Sequence, residues 1–297
     1  MLYTLRKILG IHLGLLAIAP PKRVNYSESD LKIYDGELKL SVVTPSFNQA
    51  NYIAETIQSV TSQLAERNLQ YIIQDACSTD STGEVVRALP CFNRLHLIEE
   101  KDSGQTNGIN RGFDKTDGDI MCYLNSDDFL LPGTLSVVLS YFDDNPDIDV
   151  VYGHRVLVDS DGLEIGRWVL PGHNEDILSW VNFIPQETLF WRRRAWERIG
   201  SALDENYSFA MDWDLLLRLR DSGCRFVRIP RFLAAFRIHE DQKTSGIISS
   251  VGFEEMNRLR KRSLGRIPSK LEIYFKSLPY LIRHFFINNV YRLTGRY

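Results

Sequence analysis

Cysteine is scarce in this chain and is not arranged for chemistry. The four cysteines among 297 residues are Cys77, Cys91, Cys122 and Cys224, with no CxxC pair and no Cys/His set at metal-ligand spacing. That argues against a zinc site and a disulfide scaffold, and points to a reducing compartment. Long apolar runs are missing as well. The best candidate, Ile8 to Ala19, is interrupted by His12 and followed at once by Pro20 and Pro21. It is too short to span a bilayer as a helix, and the prolines sit where a leader would have to be cleaved. It is expected to be a retained helix, packed on the domain or lying on a membrane. Neither charge dominates: 35 Lys and Arg against 38 Asp and Glu leave a net −3, which predicts no general affinity for nucleic acid. Internal repeats and low-complexity tracts are lacking too.

What is present is an ordinary globular composition, 44% hydrophobic and 25% charged, long enough for one large domain or a domain with appendages. From Lys39 onward, strand and helix patterns alternate. "LKLSVVTP" is a β-branched run stopped by Pro45, and "NYIAETIQSVTSQL" places Ile53, Ile57, Val60 and Leu64 at helical spacing. "QYIIQDA", "RLHLIEE" and "DIMCYLN" are further strands, and "STDSTGEVVRAL" and "GQTNGINRGFDKT" are helices. Such alternation predicts a mostly parallel, Rossmann-like sheet flanked by helices, with ligands at the carboxyl ends of its strands.

Those ends carry "TPSFN", "QDACSTD", "EEKDSGQ" and "LNSDD". Aspartates converge there from three loops, more than a core requires, because buried acids are costly unless paired or metal-bound. Asp80 is a good helix-start signal and reads first as a cap; Asp102 could sit on a solvated loop. Asp75, directly after the apolar "YIIQ", reads more strongly as functional. Asp127 and Asp128 are adjacent like charges with no cation beside them in sequence, so they either cap the following turn or hold something positive.

After Val150 the texture changes. "DVVYGHRVLVDSDGLEIGRWVLPG" reads as a hairpin with a Ser-Asp-Gly turn, and "ETLFWRRRAWERIG" as a strand entering a helix. "MDWDLLLRLRDSG" is a helix with an acidic first turn closed by Gly223, and "RFVRIPRFLAAFRIHEDQKT" reads as extended segments around Pro230. We divide the chain into an N-terminal extension (1–38), a catalytic unit (39–245) and a basic helical extension (246–297). From Met256 to Tyr297 there are ten Lys or Arg and one acid, Glu272. Aromatics interleave with these cations, so the segment is either an interfacial helix on anionic lipid or a lid packed on the catalytic unit.

Taken in order, "VVTPSFNQANYIAETIQSV", "IIQDACSTDST", "EKDSGQTNGINRGF", "DGDIMCYLNSDDFLLPGTL", "IPQETLFWRR", "MDWDLLLRL" and "FRIHEDQKT" resemble a family-2 inverting glycosyltransferase of the GT-A fold, from about Leu40 to Lys243. The resemblance implies transfer of a sugar from a nucleotide-diphosphate donor, UDP-linked by expectation, to an acceptor hydroxyl with inversion. The setting it implies is polysaccharide, O-antigen or glycoconjugate biosynthesis, in the cytoplasm or peripherally at the inner membrane face. The acceptor would be a saccharide or a lipid-linked saccharide. A divalent cation, Mn²⁺ or Mg²⁺, would offset diphosphate charge, and hard oxygen ligands suit either ion.

By that resemblance Asp127 is the metal ligand, with Asp128 as second choice or orienting neighbour. The usual Asp-x-Asp is here Asn125-Ser126-Asp127, so its first acid is an amide that can hydrogen-bond a ribose but adds no charge. His239 lies where relatives place a histidine near the metal or diphosphate, and Arg237 or Lys243 could offset phosphate charge instead. Pro45, Phe47, Asp75, Asp102, Gln105, Asn125 and Ser126 are implied donor contacts, although Phe47 could equally be core. Gln186 would line the acceptor side. Asp212 is the implied general base, with Met211 replacing the usual Glu beside it, while Asp214 reads as a helix N-terminal acid. Two other readings compete: a nucleotide-sugar-binding or scaffold protein that has lost catalysis, and a nucleotidyltransferase. The latter would need a Gly-rich, Lys/Arg-bearing loop after the first strand, and "TPSFNQAN" is neither.

Overall fold

The computed structural model describes residues 19–24, 33–239 and 251–294. The expected N-terminal helix lies almost wholly outside the described residues, and so does Lys243. The first half alternates as its sequence pattern asks: β1 (Leu40–Ser46), α1 (Ile53–Thr61), β2 (Leu69–Asp75), α2 (Thr82–Ala88), β3 (His96–Glu99), α3 (Gln105–Phe113) and β4 (Ile120–Tyr123). There follow β5 (Phe129–Leu130), α4 (Thr134–Asp144), the hairpin β6 (Val150–Val158) and β7 (Glu164–Trp168), and α5 (Glu175–Leu178). The rest is β8 (Phe190–Arg192), α6 (Arg193–Arg198), α7 (Met211–Asp221), β9 (Phe226–Arg237), α8 (Phe253–Leu264) and α9 (Lys270–Leu293).

The strands form one sheet in the order β3-β2-β1-β4-β8-β6-β9-β5, with β7 paired to β6. The strands β3, β2, β1 and β4 run parallel. β8 joins antiparallel to β4, β6 antiparallel to β8, and β9 parallel to β6. This is the expected α/β, GT-A type sheet, with its antiparallel additions supplied by the second half. The Ser-Asp-Gly turn forms where expected, Gly162 taking φ +78°. Pro230 does not split the last extended segment. β9 is one strand of twelve residues whose register against β6 shifts between Tyr152 and Arg155, because a proline cannot donate to the ladder.

Alternation along a strand sends successive side chains to opposite faces, and here both faces are covered. Val42 joins Ile53, Ile57, Leu135 and Phe142 under α1 and α4, whereas Val43 joins Ile109, Phe113, Trp191 and Trp213 under α3 and α7. A Cβ at Gly112 would lie 2.4 Å from Val43 Cγ1, so glycine is what lets α3 sit this close to β1. The C-terminal helices pack on the same unit. Tyr280 of α9 meets Phe183 with ring centroids 4.7 Å apart, His284 Nδ1 lies 2.6 Å from the Val169 carbonyl oxygen, and Leu259 of α8 is fully buried. No helix among the described residues is long and apolar enough to cross a membrane.

Candidate active site

A cavity of about 790 Å³ opens at the carboxyl ends of β1 and β4. Pro45, Ser46 and Phe47 form one wall. The Phe47 ring is 55% exposed, so it belongs to the cavity and not to the core. Behind this wall, two non-glycine residues adopt left-handed backbone, Asn48 at φ 53° and Cys77 at φ 62°. Such strain persists only where surrounding bonds over-determine it. Here Asn48 N donates to Ser78 Oγ at 2.8 Å and Asn48 Oδ1 accepts from Thr79 N at 2.9 Å, tying the loops after β1 and β2 together. Asp80 accepts from Thr82 N at 3.0 Å, at the start of α2, and from Ala50 N at 3.1 Å. Its bonds are those of a cap and a loop tie. Asp75 is buried at the end of β2, its two oxygens accepting from Ser78 N at 2.7 Å and Ser78 Oγ at 2.6 Å. It stands behind the cavity wall; its neighbour Ala76 lines the wall itself.

The floor is a chain of amides. Asp102 lines the cavity and accepts from Gly104 N at 2.9 Å. Gln105 Nε2 donates to Asn125 Oδ1 at 2.8 Å, and Asn125 Nδ2 lies 3.4 Å from both Asp128 Oδ2 and Gln186 Oε1. Gln186 Nε2 in turn donates to the Tyr123 carbonyl at 2.8 Å. Gln186 and Ser126 both line the cavity, and the Ser126 carbonyl is held by Thr56 Oγ1 at 2.9 Å. The amide at position 125 therefore links Gln105 to Gln186, a bridge that an Asp could not make in both directions.

The adjacent acids part company. Asp127 lines the cavity, and its Oδ2 lies 3.1 Å from His239 Nε2. Asp128 is 1% exposed, lies outside the cavity wall, and accepts from Arg237 N at 3.0 Å. Burial, then the charges of Asp127 and Glu187, push its carboxyl well above the usual carboxylate range. The His239 side chain is 4% exposed with its ring 4.6 Å from that of Tyr52, and its Nδ1 has no hydrogen-bond partner among the described residues. Arg237 requires a correction: it offers no charge to a ligand here. Its Nε donates to the Asp127 carbonyl at 2.9 Å and its Nη1 to the Ser160 carbonyl at 3.0 Å, and it pairs with Glu55. It braces the Asp127 turn from behind.

Opposite the strand ends stands α7. Asp212 lines the cavity from its first turn, accepting from Asn182 Nδ2 at 2.8 Å and from Trp213 N at 2.7 Å. Burial pushes its carboxyl up to about 6, against those two bonds. Asp214 is fully buried on another side of the helix, 2.8 Å from Arg218 Nε and 2.6 Å from Arg262 Nη1. Met211 Sδ lies 3.0 Å from Thr106 Oγ1. The N-terminus of α7 is held from α8: the Glu255 carboxylate accepts from Ser208 N at 2.9 Å, Ser208 Oγ at 3.0 Å, Phe209 N at 2.9 Å and Ala210 N at 2.8 Å. Burial alone would raise that carboxyl, but these donors outweigh it and hold it below the ordinary range.

Several contributors carry no signal in the sequence read alone. Asn182, which orients Asp212, sits in an irregular segment, and Glu255 is one acid among the charges of a helix. Arg155 and Glu187, both in the cavity wall, bond at 2.6 and 2.7 Å, with the guanidinium 4.6 Å from the Phe236 ring and 5.3 Å from Trp168. Only the Arg155 strand position and the Gln186-Glu187 dipeptide could have hinted at them.

A constellation of this kind can hold a cation beside Asp127 and accept a proton at Asp212. Comparison with known proteins gives the family and the fold. The family model described as Glycosyl transferase family 2 matches residues 41–200. An uncharacterized glycosyltransferase of Haemophilus influenzae is 23% identical over 250 residues, covering 80% of this chain and 76% of that protein. Among solved structures, S. aureus TarS (residues 1–349) in complex with UDP-GlcNAc superposes with a TM-score of 0.63 at 19% identity, over 84% of this chain and 73% of that one. A mannosyltransferase from Pyrobaculum calidifontis in complex with GDP-Man and Mn²⁺ gives 0.59 at 17% identity, over 95% and 75%. At these identities the two structures speak to the fold.

Proposed function

The chain belongs to glycosyl transferase family 2, and from that premise we propose that it transfers a glycosyl group, with inversion, from a nucleotide-diphosphate sugar to an acceptor hydroxyl. One observation carries this reading: Asp212 lines the strand-end cavity from the first turn of α7, and burial pushes its carboxyl up to about 6. A general base works best when its pKa lies close to the working pH, and no other acid of α7 reaches the cavity. In this reading Asp212 takes the proton of the acceptor hydroxyl as that oxygen attacks the anomeric carbon, while the bond to the diphosphate breaks on the opposite face. Asn182 and Trp213 N fix the carboxylate's direction. Phe47, Asp102, Gln105, Asn125 and Ser126 contact the donor; Asp75 acts on it through the loop it holds. Gln186 faces the acceptor.

The donor partner carries two phosphates, and a bound divalent cation would offset the charge that leaves with them. The residues present fit such an ion modestly. Asp127 Oδ2 and His239 Nε2 are 3.1 Å apart, near enough for both to reach one cation. Among the described residues no three His, Cys, Asp or Glu side chains gather as a metal site. An ion held by two protein ligands would take the rest of its shell from water and diphosphate, a habit more of Mg²⁺ than of Ca²⁺; the imidazole favours Mn²⁺ over Mg²⁺.

The test is a screen of UDP-, dTDP- and GDP-sugars for donor hydrolysis and transfer, with and without Mn²⁺ or Mg²⁺. Turnover of one donor supports the reading. Tight nucleotide binding with neither hydrolysis nor transfer would instead mark a nucleotide-sugar-binding protein of this fold.

A further inference from the structure

Helix α9 has two unlike faces. Tyr280, His284 and Tyr291 lie along the one that docks on the catalytic unit, reaching Phe183, the Val169 carbonyl and the Pro230 carbonyl. At about 100° per residue, Leu271, Phe275, Ile282, Phe286 and Leu293 line the opposite face. They are 70, 64, 46, 64 and 88% exposed. Arg283 borders that stripe on one side and Lys270 and Arg292 on the other, by the same geometry, whereas Lys276 Nζ lies 5.8 Å from the centroid of the Trp180 ring. The helix has one acid, Glu272, and it is paired with Arg266 at 2.6 Å.

We propose that α9 is an interfacial anchor that lies along an anionic bilayer surface, its apolar stripe at the boundary of headgroups and acyl chains and its flanking cations against lipid phosphates. An exposed apolar stripe this long marks an interaction surface, and cations on both borders match anionic lipid. They match a second copy of this chain poorly. A symmetric contact would bring the borders of two such helices together, and the one acid there, Glu272, is already paired with Arg266. The docked side of α9 touches two residues of the cavity wall, Phe183 at 4.7 Å and Trp168 at 6.4 Å between ring centroids. The anchor would therefore set the acceptor side of the cavity close to the lipid surface. That last consequence rests on the glycosyl-transfer reading; the binding does not.

Flotation of the full chain with vesicles decides the matter without any donor or acceptor. The chain is expected to float with vesicles of equimolar phosphatidylcholine and phosphatidylglycerol, less with phosphatidylcholine alone, and less at high salt. A Phe275→Glu/Phe286→Glu variant is expected to lose about a hundredfold in partitioning, with its thermal melt unchanged because both rings are exposed. Should that variant fail to fold, Arg283→Glu/Arg292→Glu decides, with a loss of about tenfold or more and of the phosphatidylglycerol preference. Three results overturn the proposal: a full chain that never floats, variants that float like the native chain and so place lipid contact elsewhere, or a dimer that the variants dissociate without any flotation.

Discussion

The two halves of the cavity are built in different ways. On the strand-end side, each contributing group sits within a few residues of the strand that aims it: Phe47 after β1, Ala76 after β2, Asn125 to Asp127 after β4. On the α7 side, each group depends on a partner far away in the chain. Asp212 is oriented by Asn182, thirty positions earlier, and its helix is capped by Glu255, more than forty positions later. A parallel sheet aims its strand ends by itself, but a helix that must stop beside a cavity needs its free backbone N–H groups satisfied by something. The first side has one long-range brace of its own, Arg237 behind the Asp127 turn. The second should fail as a unit, and α7 itself offers the sharpest way to break it.

The largest effect is expected at Asp212. Asp212→Asn should lower transfer by about 10²–10⁴-fold with nucleotide affinity and melting temperature close to native. In the native enzyme the rate should fall as pH drops through about 6, as the carboxylate takes up its proton. A fully active Asp212→Asn, or a native acid limb retained in it, would remove Asp212 from the mechanism. Two residues on, Asp214 should behave in the opposite sense. It is buried between Arg218 and Arg262, and breaking such an arrangement costs about 3 kcal/mol. Asp214→Asn should therefore lower the melting temperature markedly while the folded fraction turns over at close to the native rate. Equal losses of rate in both variants would mean that the helix acts as a single electrostatic unit.

How far the sequence could be read follows the same division. The alternating pattern and Pro45 located the strand ends because period, capping residues and stops are all local. The motifs there landed in or behind the cavity wall for that reason. The distinction between Asp127 and Asp128 was not legible. Adjacent residues look alike in sequence, and only the backbone turn braced by Arg237 sends one carboxylate into the cavity and buries the other. Arg237 reads in the sequence as an alternative partner for phosphate charge. Its distance from the motif hid the fact that its donors end on the Asp127, Asp159 and Ser160 carbonyls. Glu255 was invisible because a cap supplied from another helix has no spacing rule.

On the strand-end side the next effect in size should separate the acid pair. Asp127→Asn is expected to weaken Mn²⁺-dependent nucleotide binding by about tenfold to a hundredfold, the range that metal-site polar groups command. Asp128→Asn should change that affinity little, since its carboxyl is held above the usual range and faces Arg237 N. Titration calorimetry with UDP or GDP and Mn²⁺ reads both. The reverse ranking would move the ligand by one residue, and equal affinity with and without metal in the native chain would remove the ion from the proposal.

The smallest of these effects tests whether the α7 side works through its cap. The two oxygens of Glu255 receive four donors around Ser208, Phe209 and Ala210, immediately before Met211 and Asp212. Glu255→Gln keeps one accepting oxygen and turns an N–H₂ group toward backbone N–H groups, so at least one of those donors loses its partner. Charge-assisted bonds of this kind are worth about 1.5–3 kcal/mol each when removed, enough to fray the first turn of α7 without unfolding the domain. The expected result is a fall in kcat of about tenfold, in line with a misplaced catalytic group at small displacement, with nucleotide affinity unchanged. Glu255→Asp, which keeps the charge and both oxygens on a shorter stem, should recover part of the loss. A variant that melts earlier yet turns over normally once folded would show that Glu255 holds the fold and leaves Asp212 where it was, and the two sides of the cavity would then be less different than their bonds suggest.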